Sequence, residues 1–233
     1  MKIDKQVIAI GGGGFGRNPG KGIIEKYILA QVSSKSPNIC FIPTATGDDK
    51  SYIENFYLTF KKFKCNPTHL GFFERTPNLD ELIFNQDIIF VGGGNTKSML
   101  AVWREWQLDR ILKKAYEKGI VMSGVSAGAI CWFEKGITDS WQEKLNIIDC
   151  LGFVSGNCCP HYDEEPERKP SLTKFLGDKD LNDCFAIEGG CALHIKNNKV
   201  FTAISFEGKK NSYDVVVNNN KLEENILPAK DIL

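Results

Sequence analysis

The sequence predicts an α/β fold: a three-layer αβα sandwich on a mainly parallel sheet, with β-hairpins added at the C-terminal end. Two observations carry this. Short runs rich in β-branched residues alternate with longer amphipathic stretches, the pattern of a parallel sheet covered by helices. From about Phe185 onward that texture gives way to "CFAIEGGCALHI", "KVFTAISF" and "SYDVVVNNNKL", short strands separated by Asn-Asn or Gly-Lys turns, which is the pattern of hairpins.

Five runs read as the parallel strands: Val7 to Ile10, Ile39 to Ile42, Thr68 to Phe72, Ile88 to Val91 and Ile120 to Ser123. Between them fall helix candidates at Lys21 to Val32, Ser51 to Phe63, Thr96 to Trp103 and Leu108 to Lys118. The last carries its apolar residues at Leu108, Ile111, Leu112 and Ala115, one face of a helix, and Gly119 supplies its stop. Asn197-Asn198 and Asn218-Asn219-Asn220 read as hairpin turns. The Pro- and charge-rich "HYDEEPERKPS" reads as an exposed loop. No repeat or low-complexity linker divides residues 1–233, so a single domain is expected.

Composition narrows the function classes. Of 233 residues, 42% are hydrophobic, enough for a full core, and 29 Lys plus Arg balance 29 Asp plus Glu. That balance, without a dense basic run, argues against nucleic acid and anionic membrane as partners. No apolar run nears the roughly 20 residues of a membrane helix, and "MKIDKQVIAIGG" runs straight into a strand, so a cytoplasmic location is expected. The eight cysteines include no C-x-x-C pair, and the adjacent Cys158 and Cys159 suit tetrahedral zinc poorly. No metal and no cofactor are therefore expected, and buried thiols are.

Three strands end in glycine-rich turns. The first, Gly11 to Gly16, matches G-x-G-x-x-G, but Arg17 to Gly20 prolong the loop where a dinucleotide site opens a helix. The second strand, moreover, ends in Pro43-Thr44 where a ribose-binding acid would be wanted. A P-loop would need glycine at Phe15 and a hydroxyl at Gly22. The second turn is "VGGGNT" at 91–96, and the third surrounds Ser126. In an open parallel sheet the carboxyl ends of the strands share one edge, so the three turns are expected to converge. Their freed backbone amides, at Gly12 and Gly13 in the first turn and around Asn95 in the second, are expected to face a bound substrate.

Gly124, Ser126 and Gly128 fit G-x-S-x-G, a serine on a tight strand-to-helix turn. A serine hydroxyl needs a base, most often histidine steered by an acid. Of three histidines, His69 lies in the third strand and His194 in an alternating strand, which leaves His161 in the loop "CCPHYD". Glu188, at a strand end before Gly189-Gly190, is the candidate acid, with Asp139 in "GITDSW" as the alternative; Asp163 lies too near His161 in sequence to be favoured. The order Ser, His, acid departs from the Ser, acid, His order of α/β-hydrolases.

Together "GVSAGAICW", "VGGGNT", "IPTAT" and "CCPHYDEEPER" resemble the peptidase E family, serine hydrolases of the S51 class that include aspartyl dipeptidase and cyanophycinase. The resemblance runs from the first strand to about Gly190. It implies a class I glutamine amidotransferase-like (flavodoxin-like) fold and cleavage of small peptides through an acyl-enzyme, with Ser126 as nucleophile and His161 as base. It places the acid on Glu188, or on Asp139, and the oxyanion hole on the amides of Gly94 and Ala127. Arg168, on the loop that follows His161, is expected to meet a substrate carboxylate, since guanidinium matches carboxylate bidentately. Two rivals stay open: an amidotransferase-like enzyme, disfavoured because the nearest thiol is Cys131, and a binding module without turnover. An exposed sheet edge is compatible with a homodimer.

Overall fold

A computed structural model describes residues 4–142, 144–218 and 221–233. Its main sheet holds eight strands: β1 (Gln6–Ile10), β2 (Asn38–Ile42), β3 (Asn66–His69), β4 (Ile88–Val91), β5 (Val121–Val125), β10 (Cys191–Lys196), β11 (Lys199–Ser205) and β14 (Ala229–Asp231). Their spatial order is β14-β11-β10-β1-β5-β4-β2-β3. The first five strands are mutually parallel, and β10 runs antiparallel to β1. A second sheet gathers β6 (Lys135–Thr138), β7 (Asn146–Asp149), β8 (Asn157–Cys159), β9 (Asp183–Ile187), β12 (Ser212–Asn218) and β13 (Lys221–Leu227), in the order β13-β12-β9-β8-β6-β7.

Every residue of β1, β4 and β5 is buried, because helices cover both faces of this part of the sheet. On one face lie α1 (Ile23–Leu29) and α2 (Lys50–Phe60). There Phe15, Phe41, Phe56, Phe60 and Phe90 pack ring against ring, Phe41 stacking on Phe56 at 5.0 Å between centroids. Each ring contributes about 2–3 kcal/mol by leaving water. The other face receives α4 (Thr96–Glu105), α5 (Leu108–Glu117) and the single turn α6 (Ala127–Ile130), through Trp103, Leu108, Leu112, Ala115 and Ile130. The four apolar positions read from the sequence of α5 are all buried. A short α3 (Leu79–Phe84) adjoins α5, and α7 (Arg168–Gly177) packs Leu172 and Leu176 on the second sheet. Asp49, Asn78 and Asn95 cap α2, α3 and α4 by accepting from backbone amides of their first turns.

The structure alters two expectations. The third strand ends at His69 and not at Phe72, because the amides of Phe72 and Phe73 turn to the Asp48 carboxylate and leave the ladder. The C-terminal strands do not all extend the main sheet. β10 and β11 do, through a tight turn in which Asn197 and Asn198 both take positive φ, 51° and 63°. β9 and the β12–β13 hairpin belong instead to the second sheet, so "CFAIEGGCALHI" is two strands in two sheets. Asn218 ends β12, while Asn219 and Asn220 of the expected turn lie outside the described residues.

Candidate active site

β1 and β5 are neighbours, and their carboxyl ends organise the site. Ser126 follows β5 directly, with φ 57° and ψ −112°, a conformation that an L-residue adopts only when its surroundings impose it. Those surroundings are backbone. A side chain on Gly124 would run into the Gly128 carbonyl, and one on Gly128 into that of Val91, so α6 presses against β4 and β5. The Ser126 amide donates to the Ile10 carbonyl at 3.0 Å, and the His161 amide donates to the next carbonyl, Gly11, at 3.0 Å. Two consecutive peptide groups at the end of β1 thus hold both residues.

The second glycine turn closes on the serine. A Cβ built on Gly93 would lie 3.2 Å from that of Ser126. Gly94, at φ 133°, lies against the Ala45 carbonyl, which accepts from the Asn95 amide at 2.8 Å. Among the described residues the amides of Gly94 and Ala127 donate to no other group. Ala127 opens α6, where first-turn amides have no partner within the helix. Asn95 is exposed and spends its side-chain oxygen on the Ser98 amide.

His161 has φ 54°, and its Nδ1 meets Oε2 of Glu164 at 2.7 Å. The Glu164 carboxylate also receives both terminal nitrogens of Arg17, Nη2 at 2.9 Å. The Arg17 hydrogen bond, aided by His161, holds the Glu164 carboxyl down to about 2. An ionised carboxylate only accepts, so Nδ1 is the ring nitrogen that donates to Glu164. The first glycine turn backs this pair: a Cβ on Gly12 would lie 2.6 Å from Glu164 Oε2 and 2.9 Å from His161 Nδ1. Gly13, at φ 99°, similarly abuts Glu207.

Several expected residues stand elsewhere. Glu188 sits at the end of β9, but Oε2 accepts from the Asn211 amide at 2.8 Å and Oε1 from the Tyr213 hydroxyl at 2.9 Å. Its carboxylate is directed to the second sheet, and Glu164 occupies the His161 ring. Asp139 is exposed beyond β6; its neighbour Ser140 accepts from the Thr96 amide and so ties this loop to α4. Arg168 is no loop arginine free for a substrate. It opens α7, is 2% exposed, and gives its nitrogens to Glu165 at 2.6 Å and to the Ile137 carbonyl at 2.9 Å. His69 is bonded to Tyr57, and His194 is enclosed in the sheet. All eight cysteines are free thiols, and burial pushes the Cys131 thiol well above its ordinary value, which removes it as a thiolate nucleophile. Sequence reasoning missed Glu164 and Arg17. The available signal was the spacing from His161 to Glu164, three residues within "HYDE", which in a helical turn brings the carboxylate back to the ring.

Residues 7–203 match peptidase family S51. The chain belongs to this family. A curated relative, the uncharacterized peptidase YgaJ of Bacillus subtilis, is 42% identical over 227 residues, covering 97% of this chain and 98% of the relative. Among solved structures, a peptidase from an acI-B1 actinobacterium superposes with a TM-score of 0.72 at 17% identity, covering 97% of this chain and 95% of that one. A Listeria monocytogenes protein described as a peptidase E superposes with a TM-score of 0.63 at 19% identity, covering 85% and 98%. This S51 peptidase therefore shares with these structures an α/β fold built on a mainly parallel sheet between helices. No described helix is long and apolar enough to cross a membrane.

Proposed function

We propose that this S51 peptidase is a serine-type hydrolase that cleaves short peptides through an acyl-enzyme, with aspartyl dipeptides as the first substrate class. The observation that carries the reading is the anchoring of Ser126 and His161 on the consecutive carbonyls of Ile10 and Gly11, beside the undonated amides of Gly94 and Ala127. Ser126 Oγ attacks the peptide carbonyl while His161 Nε2 takes its proton and then delivers it to the leaving amine. The amides of Gly94 and Ala127 hold the oxyanion, a contribution of about a hundredfold or more in turnover per donor. Water, activated by the same imidazole, then releases the acyl group. Glu164 keeps the ring in its Nδ1–H tautomer. The preference for an N-terminal aspartate comes from the family resemblance.

A fluorophosphonate is expected to label the wild type and not Ser126→Ala; undiminished labelling of the variant overturns the nucleophile. A panel of Asp-Xaa, Glu-Xaa, Ala-Xaa and β-aspartyl dipeptides tests the substrate, and failure on every Asp-Xaa peptide removes the aspartyl specificity. Glu164→Gln is expected to cost more kcat than Glu188→Gln. The reverse ranking would move the orienting role to Glu188.

A further inference from the structure

The Glu164 carboxylate occupies a slot built for it. On one side a Cβ at Gly12 would lie 2.6 Å from Oε2, and on the other a side chain at Gly189 would overlap the same carboxylate, so bare backbone walls it in. His161 closes the inner end and Arg17 the outer, with both terminal nitrogens of the guanidinium on the two oxygens. Arg17 is itself tethered. Its amide and that of Asn18 donate to the Gly14 carbonyl, and the Asn18 side chain donates to Glu207 at 2.9 Å. Around the slot, Asp163 is matched by Lys210 at 2.5 Å, while Glu207 approaches Arg17 at 4.0 Å. Removing Arg17 would take away the cation that both Glu164 and Glu207 approach.

From this geometry, and resting on the roles given to Ser126 and His161 above, we propose that Arg17 of the first glycine turn is a positioning residue that acts through Glu164 to fix the His161 ring. An isolated surface ion pair has little effect. This one differs because its anion is shared with the base, and the planar fork of arginine sets the orientation of the carboxylate as well as its charge. The turn that superficially matches a dinucleotide fingerprint thus serves the protein's own histidine: Gly12 makes room for the pair, and Arg17 closes it.

The test uses Arg17→Ala, Arg17→Lys and Arg17→Ala supplemented with guanidinium chloride at non-denaturing concentration. The first readout is the rate of Ser126 labelling by a fluorophosphonate between pH 5.5 and 9, which needs no known substrate. The second is the 15N spectrum of ring-labelled His161, which reports its tautomer. Arg17→Ala is expected to label about tenfold more slowly at pH 7.5 and to shift the acid limb of the profile. The His161 ring is expected to lose its single Nδ1–H form, guanidinium to restore both readouts, and Arg17→Lys to fall between. Wild-type rates at every pH, together with an unchanged ring spectrum, overturn the proposal. A wild type that is never labelled overturns the nucleophile reading instead, and the ring spectrum then decides the role of Arg17 by itself.

Discussion

His194 supplies a direct measure of how the buried sheet responds to acid. It lies on β10, fully buried, with Nδ1 accepting from the Tyr27 hydroxyl at 2.7 Å and Nε2 donating to Gln6 Oε1 at 3.1 Å. Both ring nitrogens are satisfied in the neutral form. Burial, reinforced by Lys196, pushes its pKa from 6.5 down to about 4. A group whose folded value is depressed stabilises the fold above its unfolded value, and that stability is lost as pH falls from about 6.5 towards about 4. The gap corresponds to about 3 kcal/mol at the acid limit and to about 2.5 kcal/mol already at pH 4.5. The assay is urea unfolding followed by tryptophan fluorescence at pH 7.5 and 4.5, for wild type and His194→Gln, whose amide can still accept from Tyr27. Subtracting the two cancels other groups. Among them is Glu25, whose carboxyl burial pushes up and whose contribution therefore has the opposite sign, lost as pH rises. The wild type is expected to lose about 2 to 3 kcal/mol more than the variant over this range. Equal losses would refute the assignment of His194 as a neutral structural ring.

Three further outcomes follow from the geometry. Ser126→Gly, by releasing a residue held at φ 57°, is expected to raise stability by about 1–2 kcal/mol while abolishing fluorophosphonate labelling; an unchanged denaturation midpoint would deny the strain. Arg168→Ala should destabilise by about 2 kcal/mol, since it strands the buried Ile137 carbonyl and removes the partner of the half-exposed Glu165, and should leave KM for any cleaved peptide within about twofold; a raised KM at full stability would return Arg168 to the substrate. Gly94→Ala, whose new methyl meets the Ala45 carbonyl, is expected to cut kcat about a hundredfold with KM little changed, and wild-type kcat would remove Gly94 from the oxyanion hole.

Four of the five parallel strands were legible because they are buried on both faces and read as apolar runs, whereas β3, exposed to half-buried along "NPTH", gave no such run and was placed too late in the chain. Ile88–Val91 falls where the pattern puts it, and β5 differs from its expected span by one or two residues at each end. The second sheet was not legible, for the opposite reason. β8 has three residues and β6 and β7 four each, too short for a period to emerge, and β8 finds its partners β6 and β9 across longer stretches of chain. Nothing local tells "CFAI" and "CALHI" that Gly189-Gly190 sends them to different sheets. At the candidate site, turn chemistry and the scarcity of histidines singled out Ser126 and His161, which the fold hangs from consecutive carbonyls at the end of β1. Proximity in sequence to His161 spoke against Asp163, and the same instinct hid Glu164, although a helical turn is what returns residue i+3 to residue i. Arg168 misled because a charge among charges looks solvated, and only the packing of α7 shows that it is enclosed.

The suspension of Ser126 and His161 from adjacent carbonyls of β1 has a consequence for how this enzyme wears out and how it can be remodelled. β1 is an interior strand flanked by β5 and β10, so the frame holding Ser126 and His161 has no loose hinge of its own. Heating is expected to end labelling competence and the main-sheet hydrogen-exchange protection in one transition, with no cooler stage of partial inactivation. Changes to substrate preference can instead be sought at exposed side chains such as Asp139, which can be exchanged without disturbing the carbonyls that hold Ser126 and His161.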